Sequence, residues 1–290
     1  MKWADYYRPV TPALLDDLVR AAASEVLAVR GLDPAALPAD PGVERPRNPA
    51  HGEYATSVAL RTAGRAGVAP RELAGWLADA LVRRPEVAGA EVAGPGFLNL
   101  RMTADGRSAL VAEVLAADDD LEGATAVEAA ADLLVRAAPA GLVDAIGADA
   151  ARYSLVSGRP VDARRTVDNP LFRLQYAHAR AASLTRNAAR LGIEVTADLA
   201  PLADPREGEL VCAIGRFPAV VASGEPYRVA RHLEVLAVAF FDVHDACPVL
   251  PVGDADVTDL HRARLALVVA VRRVLANGLG LLGVSAPERI

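Results

Sequence analysis

Between Pro170 and Leu191, five polar residues recur at steps of three or four: Arg173, Tyr176, Arg180, Ser183 and Asn187. That is the period of one helical face, so two guanidiniums, a phenol, a hydroxyl and an amide stand in a row. Guanidiniums bridge phosphates bidentately, and a phenol ring stacks on an unpaired base. These are groups that hold RNA, although the same spacing also describes a polar face turned to solvent, and spacing alone does not separate the two. Leu171, Leu174, His178, Ala181, Leu184, Ala188 and Leu191 form the opposite stripe, which should pack on a core. His178 lies on it and is expected to be a satisfied core histidine rather than a ligand. Cys212 and Cys247 are isolated, lack metal-ligand spacing and are expected to be buried free thiols. No glycine-rich loop between a strand and a helix offers a phosphate cradle.

Charge supports and opposes this reading at different ranges. The formal net charge of −6 opposes RNA binding. It is strongly segregated, however. From Arg152 to Arg190 there are eight Arg against Asp162 and Asp168, whereas Ala104 to Asp132 holds eight acids against Arg107 alone. Local charge makes a binding surface, although an Arg-rich helix is also what a solvated face looks like. Lys2 is the only lysine beside thirty Arg.

The elements that must position these groups follow from periodicity. Thr11-Pro12 opens a helix carrying Leu14, Leu15, Leu18, Val19, Ala22, Val26 and Leu27 up to Gly31. A Pro- and Gly-rich loop follows over 33–49, then helices over about 55–66 and 70–84, then strands near 86–93 and 96–102. The stretch 104–147 is Ala-rich and acidic, broken at Asp118-Asp119-Asp120, and reads as a connector with one or two helices. Beyond it, helices are expected over about 148–156, 170–191, 208–222, 226–246 and 258–277, the last stopped by Asn277-Gly278. The fold class is therefore a small α+β N-terminal domain followed by an all-α helical bundle. The boundaries are 1–103, a linker over 104–147, and 148–290. With 4% aromatic residues, Ala, Val and Leu supply the core. The longest aliphatic run, Leu265–Val271, is far too short for a bilayer, and Met1–Asp5 carries no secretory pattern, so a soluble cytoplasmic protein is expected.

Four stretches, in order, resemble the arginyl-tRNA synthetase family. Residues 48–56 (NPAHGEYAT) and 94–100 (GPGFLNL) resemble segments of its N-terminal additional domain. Asp168-Asn169-Pro170, leading into Gln175-Tyr176-Ala177-His178-Ala179-Arg180, resembles the opening helix of its DALR anticodon-binding domain. Residues 275–290 (LANGLGLLGVSAPERI) resemble its C-terminus, with Ile290 where the family usually has Met. Residues 147–155 (GADAARYSL) resemble the point where the family's chain leaves its class I catalytic domain. Only the acidic stretch stands where that domain would be.

The resemblance implies a tRNA-binding protein with no amino-acid activation and no cofactor or metal. Such catalytic domains grip ATP through an H-x-G-H type element and a mobile lysine, groups that stabilise charge on the α-phosphate. None of the five histidines begins such an element, and Lys2 stands alone. The family's N-terminal domain contacts the tRNA elbow, which implies Phe97 and Asn99 as D-loop contacts, with Asn48 and His51 as weaker ones. A stacking ring beside a pairing amide suits an extruded base; the alternative makes Phe97 a core strand residue and Asn99 a solvent neighbour, and gives Asn48 and His51 a loop-structuring role. The helical domain's role implies anticodon contacts from Arg173, Tyr176 and Arg180, with Phe241, His244 and Ile290 as weaker candidates. The implied partners are a tRNA, of the arginine type, and an enzyme that uses aminoacyl-tRNA. Two further readings stand beside this one. The chain is a non-catalytic subunit of a split synthetase, or a degenerate copy acting only in protein interaction.

Overall fold

The computed structural model describes residues 13–46, 48, 51–116, 121–166, 168–196 and 198–290, with side chains from Leu15 onward. The start of the first helix at Thr11-Pro12, the Pro49-Ala50 part of the first matching segment and the triple-Asp break lie outside these residues. By contacts the chain divides into two compact units, Met1–Ala109 and Leu110–Ile290.

The first unit opens with α1 (Ala13–Val29), whose Leu15, Val19, Ala22, Ala23, Val26 and Leu27 are buried at helical spacing. The expected loop that follows holds more order than its composition suggests. Asp33 caps a single 3₁₀ turn at Pro34–Ala36, and β1 (Val43–Glu44) pairs with β2 (Tyr54–Thr56). The helix expected from Ala55 therefore starts later, as α2 (Val58–Ala66). Tyr54, Ala55 and Thr56 are drawn into the sheet, where pairing outweighs local helix propensity. Thr56 marks the switch: its Oγ1 donates to the Pro41 carbonyl at 2.7 Å and accepts the Val58 amide at 3.1 Å. After α3 (Pro70–Leu81) come β3 (Val87–Ala93) and β4 (Phe97–Met102). The sheet order is β1-β2-β4-β3, antiparallel throughout, with Ala55 opposite Asn99 and Ala93 opposite Phe97. Leu98, Leu100 and Tyr54 share the fully buried face, against which α2 and α3 pack.

The second unit is helical among the described residues. α4 (Ala104–Ala116) crosses the division between units. α5 (Ala124–Arg136), α6 (Leu142–Ile146) and α7 (Ala148–Ser157) follow. The rest is α8 (Pro170–Arg190), α9 (Pro205–Gly215), α10 (Phe217–Ala222), α11 (Pro226–Ala246) and α12 (Asp259–Leu281). Of the residues read as a connector, those from Leu110 onward belong to this unit. α5 packs on α7, α10, α11 and α12 through buried Ala124, Val127 and Ala131. Its Asp132 is bonded to Arg152, whose Nε donates to the Leu282 carbonyl at 2.6 Å.

The start of α8 was legible; the start of α9 and the break after it were not. Asn169 accepts the Leu171 amide at 3.0 Å and Pro170 needs no donor, so α8 begins where its sequence says. The single helix expected over 208–222 is two. α9 starts earlier, at Pro205, through an Asp204/Glu207 capping box, and the chain breaks at Arg216, next to Phe217-Pro218. α12 runs past Asn277-Gly278, because Gly278 is a packing glycine: a Cβ there would stand 2.6 Å from Leu233 Cδ2. The left-handed stop comes at Gly283, φ +66°. No described helix is long and apolar enough to cross a membrane.

Candidate RNA-binding surfaces

On the first unit, β4 turns Phe97, Asn99 and Arg101 to one face and buries Leu98, Leu100 and Met102 on the other. Phe97 is 40% exposed and Asn99 half-buried. Ala93 stands opposite Phe97, and Asn99 lies between Ala55 on β2 and Glu91 on β3. The turn before Phe97 is fixed by Arg71, whose Nη1 donates to the Gly94 carbonyl at 2.8 Å. Glu91 pairs with Arg101 at 3.3 Å, so the nearest cation on this face is partly neutralised.

Asn48 and His51 are exposed, and the His51 amide donates to the Asn48 carbonyl at 3.0 Å. Their turn is fastened to the far end of β4. The Glu53 amide donates to the Leu100 carbonyl, and the Glu53 carboxylate accepts the Met102 amide at 2.5 Å. Phe97 and Asn99 are thus brought together, while the Asn48–His51 turn sits by Arg101, about 13 Å along the strand from Phe97.

On the second unit, α8 presents the two stripes its spacing predicted. Leu171, Leu174, His178, Ala181, Leu184 and Ala188 are buried; Tyr176, Arg180 and Asn187 are exposed, Arg173 and Ser183 half-buried. Leu191, just past the helix end, is exposed. His178 Nδ1 lies 2.9 Å from the Pro287 carbonyl, and burial, the main cause, lowers its pKa. It is a core histidine that fastens the C-terminal segment.

The exposed stripe meets α11. Tyr176 lies nearly parallel to Phe172 (5.9 Å between centroids, 6°) and to Phe241 (5.6 Å, 20°). At a stacking separation of ~3.5 Å, those spacings mean lateral slips of roughly 4–5 Å, so neither neighbour covers the tyrosine. Tyr176 keeps 40% exposure at the centre of a stepped three-ring shelf. Beside it, Arg180 Nε donates to His244 Nε2 at 2.8 Å, which requires that nitrogen to carry its lone pair. Burial first, and the Arg180 charge second, lower the His244 pKa, consistent with a neutral ring. Arg173 stands one turn earlier, its Nε enclosed and without a hydrogen-bond partner among the described residues.

Ile290 joins the shelf indirectly. It lines a cleft of about 470 Å³ together with Phe172, Gln175, Arg164, Arg165 and Arg289. The segment carrying it is strapped to the bundle. Gln175 donates to the Ser285 carbonyl at 3.1 Å, Ser285 bonds Asp149, and Glu288 pairs with Arg186 and Arg272. Tyr176, Arg180, Phe241 and His244 therefore form one surface, with Ile290 in the adjoining cleft. Sequence reasoning missed Phe172, Arg164 and Arg165. Phe172 had a signal, its i, i+4 spacing to Tyr176; the loop arginines had none beyond local charge. Cys212 and Cys247 are buried cysteines that form no disulfide with each other.

The chain was compared with known proteins. Residues 13–102 match the arginyl tRNA synthetase N terminal domain family, and residues 174–290 match the DALR anticodon binding domain family. An arginine–tRNA ligase from Frankia alni is 53% identical over 165 residues, covering 51% of this chain and 30% of that protein. One from Kineococcus radiotolerans is 51% identical over 164 residues, with the same coverages. The chain thus spans less than a third of the length of these curated relatives. Among solved structures, the Thermus thermophilus arginyl-tRNA synthetase is 32% identical, covering 49% of this chain and 26% of its own, with a TM-score of 0.41. A putative arginyl-tRNA synthetase from Campylobacter jejuni is 23% identical, with coverages of 51% and 35% and a TM-score of 0.42.

Proposed function

Since the chain is an arginyl-tRNA synthetase-like protein, carrying that family's N-terminal domain and a DALR anticodon-binding domain, we propose that it binds tRNA without aminoacylating it. The observation that carries this reading is the shelf of Phe172, Tyr176 and Phe241 with Arg180 at its edge, assembled from α8 and α11, all of it except Phe172 inside the DALR match. Stacked rings beside a guanidinium suit the unpaired bases and phosphates of an anticodon loop. Phe97 and Asn99 on one face of β4 set a ring beside an amide, chemistry suited to an extruded D-loop base. The absence of activation is supported by the interval between the two matches. Residues 103–173 form α4 to α7, their loops and the first turn of α8, with no strand among the described residues, and the sequence holds neither an H-x-G-H element nor any lysine beyond Lys2. A protein of this kind would hold tRNA for, or withhold it from, an enzyme that uses aminoacyl-tRNA.

Equilibrium binding of arginine tRNA and of a non-cognate tRNA, at physiological salt, tests the reading. A clear preference for the arginine tRNA is expected. Equal, weak and steeply salt-dependent binding of both would reduce it to non-specific attraction. Arginine-dependent ATP–pyrophosphate exchange above background would overturn the non-catalytic part.

A further inference from the structure

The loop between α7 and α8 carries two arginines into the cleft beside the aromatic shelf, and both of its ends are tied to buried polar groups. At its C-terminal end, Asn169 Nδ2 donates to the Asp162 and Arg164 carbonyls, each at 2.8 Å. At its N-terminal end, the Arg159 carbonyl accepts from Ser154 Oγ at 2.8 Å, and the Arg159 guanidinium reaches Glu234 on α11 at 3.1 Å. Glu234 is 6% exposed, unusual for a carboxylate in mid-helix. Its other partners are the Tyr153 hydroxyl, which donates to Oε1 at 2.8 Å, and Arg231, which donates to Oε2 at 2.8 Å. Tyr153 is fully buried. One carboxylate thus joins α7, α11 and the loop.

A carboxylate buried among a phenol and two guanidiniums is weak evidence for extra stability, since removing it from water offsets much of the attraction. Its specific effect is geometric: it fixes where the loop departs from α7. Downstream of that anchor, Arg164 and Arg165 line the cleft with Phe172 and Ile290. Both are exposed, and Arg164 is paired within the loop to Asp162 at 2.5 Å. Among the described residues of the cleft wall, which also holds Arg289, Asp149 and Asp162, Arg164 and Arg165 set two guanidiniums side by side, the arrangement suited to bridging phosphates.

We propose that Glu234 is a positioning residue for RNA binding: through Arg159 it holds the loop 158–166 so that Arg164 and Arg165 meet phosphates of the RNA seated on the Phe172–Tyr176–Phe241 shelf. The RNA half of this statement rests on the tRNA-binding reading above; the positioning half stands on the free protein.

The test separates the two. Hydrogen exchange of the amides of residues 161–166 is measured without RNA in the wild type, in Glu234→Gln and in Arg159→Met. Arg159→Met keeps an apolar stem and leaves Glu234 bonded to Tyr153 and Arg231, so it stays folded even if Glu234→Gln does not. Both variants are expected to speed loop exchange on the order of tenfold while the central amides of α8 stay unchanged. Unchanged loop exchange in Arg159→Met overturns the proposal whether or not RNA binds. In the second arm, arginine-tRNA affinity is measured across a salt series for Arg159→Met, for Arg164→Ala with Arg165→Ala, and for the three combined. Losing the loop arginines should flatten the log Kd against log salt slope by about one per phosphate contact. Arg159→Met should add nothing further in their absence. Additive losses show that Arg159 acts by another route, and the proposal falls. A wild type with no tRNA preference sinks the tRNA-binding reading instead, and leaves the positioning role to the exchange result.

Discussion

Tyr176 stands at the centre of the shelf, yet its energetic role in the free protein is small. With 40% of its surface in water and its neighbours slipped sideways, it adds little to the core. A ring held open and parallel to two others is pre-organised for a fourth. Replacing Tyr176 by Ala should therefore leave the melting temperature nearly unchanged. It should weaken arginine-tRNA binding by about 1–3 kcal/mol, the value of one base–aromatic stack. Tyr176→Phe keeps the ring and should retain most of the affinity. Titrations at one fixed salt concentration decide it: an undiminished affinity for Tyr176→Ala removes the ring from the interface. The neighbouring pair behaves differently. Arg180 is oriented by a nitrogen of His244 that must stay unprotonated, so that contact belongs to neutral pH.

At the scale of elements, legibility follows the length of the repeating signal. α8 is 21 residues long, about six turns, and both of its stripes could be read because each residue restates the same face. β1 and β2 are two and three residues long, too short to establish an alternation, and Ala55-Thr56 reads locally as the start of a helix. The partnership of Tyr176 with Phe241 joins positions far apart in the chain and leaves no local pattern, so only the packing of α8 on α11 reveals it. Glycine was the most ambiguous letter. Gly278 read as a stop and is a close contact inside α12, whereas Gly52 read as part of a family segment and turns out to be a hinge pin for the sheet. Gly52 has φ +121°, and a Cβ there would stand 2.6 Å from the Leu100 carbonyl oxygen on β4. Backbone strain and a backbone clash that cannot rotate away combine, so Gly52→Ala should destabilise the first unit by roughly 2–4 kcal/mol. Trp76 lies on α3 in that unit, so its fluorescence reports on the unit's unfolding. A urea midpoint by tryptophan fluorescence equal to that of the wild type would contradict the close approach.

At the scale of the whole molecule, the net charge of −6 is unevenly spread along the chain, and the response to pH follows from individual paired carboxylates and buried histidines. The carboxylates of Asp162, Asp204 and Glu288, each bonded to an arginine, are held below the usual range, so the stability they add is lost only in acid, below about pH 4. Burial pushes the Cys247 thiol up, which places its influence on the alkaline side. Between pH 5 and 7 the histidines decide. His178, His232, His244 and His261 all have lowered pKa values, with burial the largest cause in each. His232 is the extreme case, pushed down to about 3, enclosed against Phe217 and bonded to the Ala213 carbonyl. A histidine that stays neutral when folded but titrates normally when unfolded lets the unfolded chain bind more protons, so stability rises with pH across that window. For His232 alone, the unfolded side chain is almost fully protonated at pH 5 while the folded one is not, a difference of about 2 kcal/mol relative to pH 7. The unfolding free energy from urea titration should therefore fall by at least that order between pH 7 and pH 5. In His232→Asn, less stable at pH 7 because a packed ring is lost, the fall over the same interval should be visibly smaller. Equal pH dependence in the two proteins would mean that His232 takes up its proton without leaving the core, and that the charge on Arg216 does not oppose it.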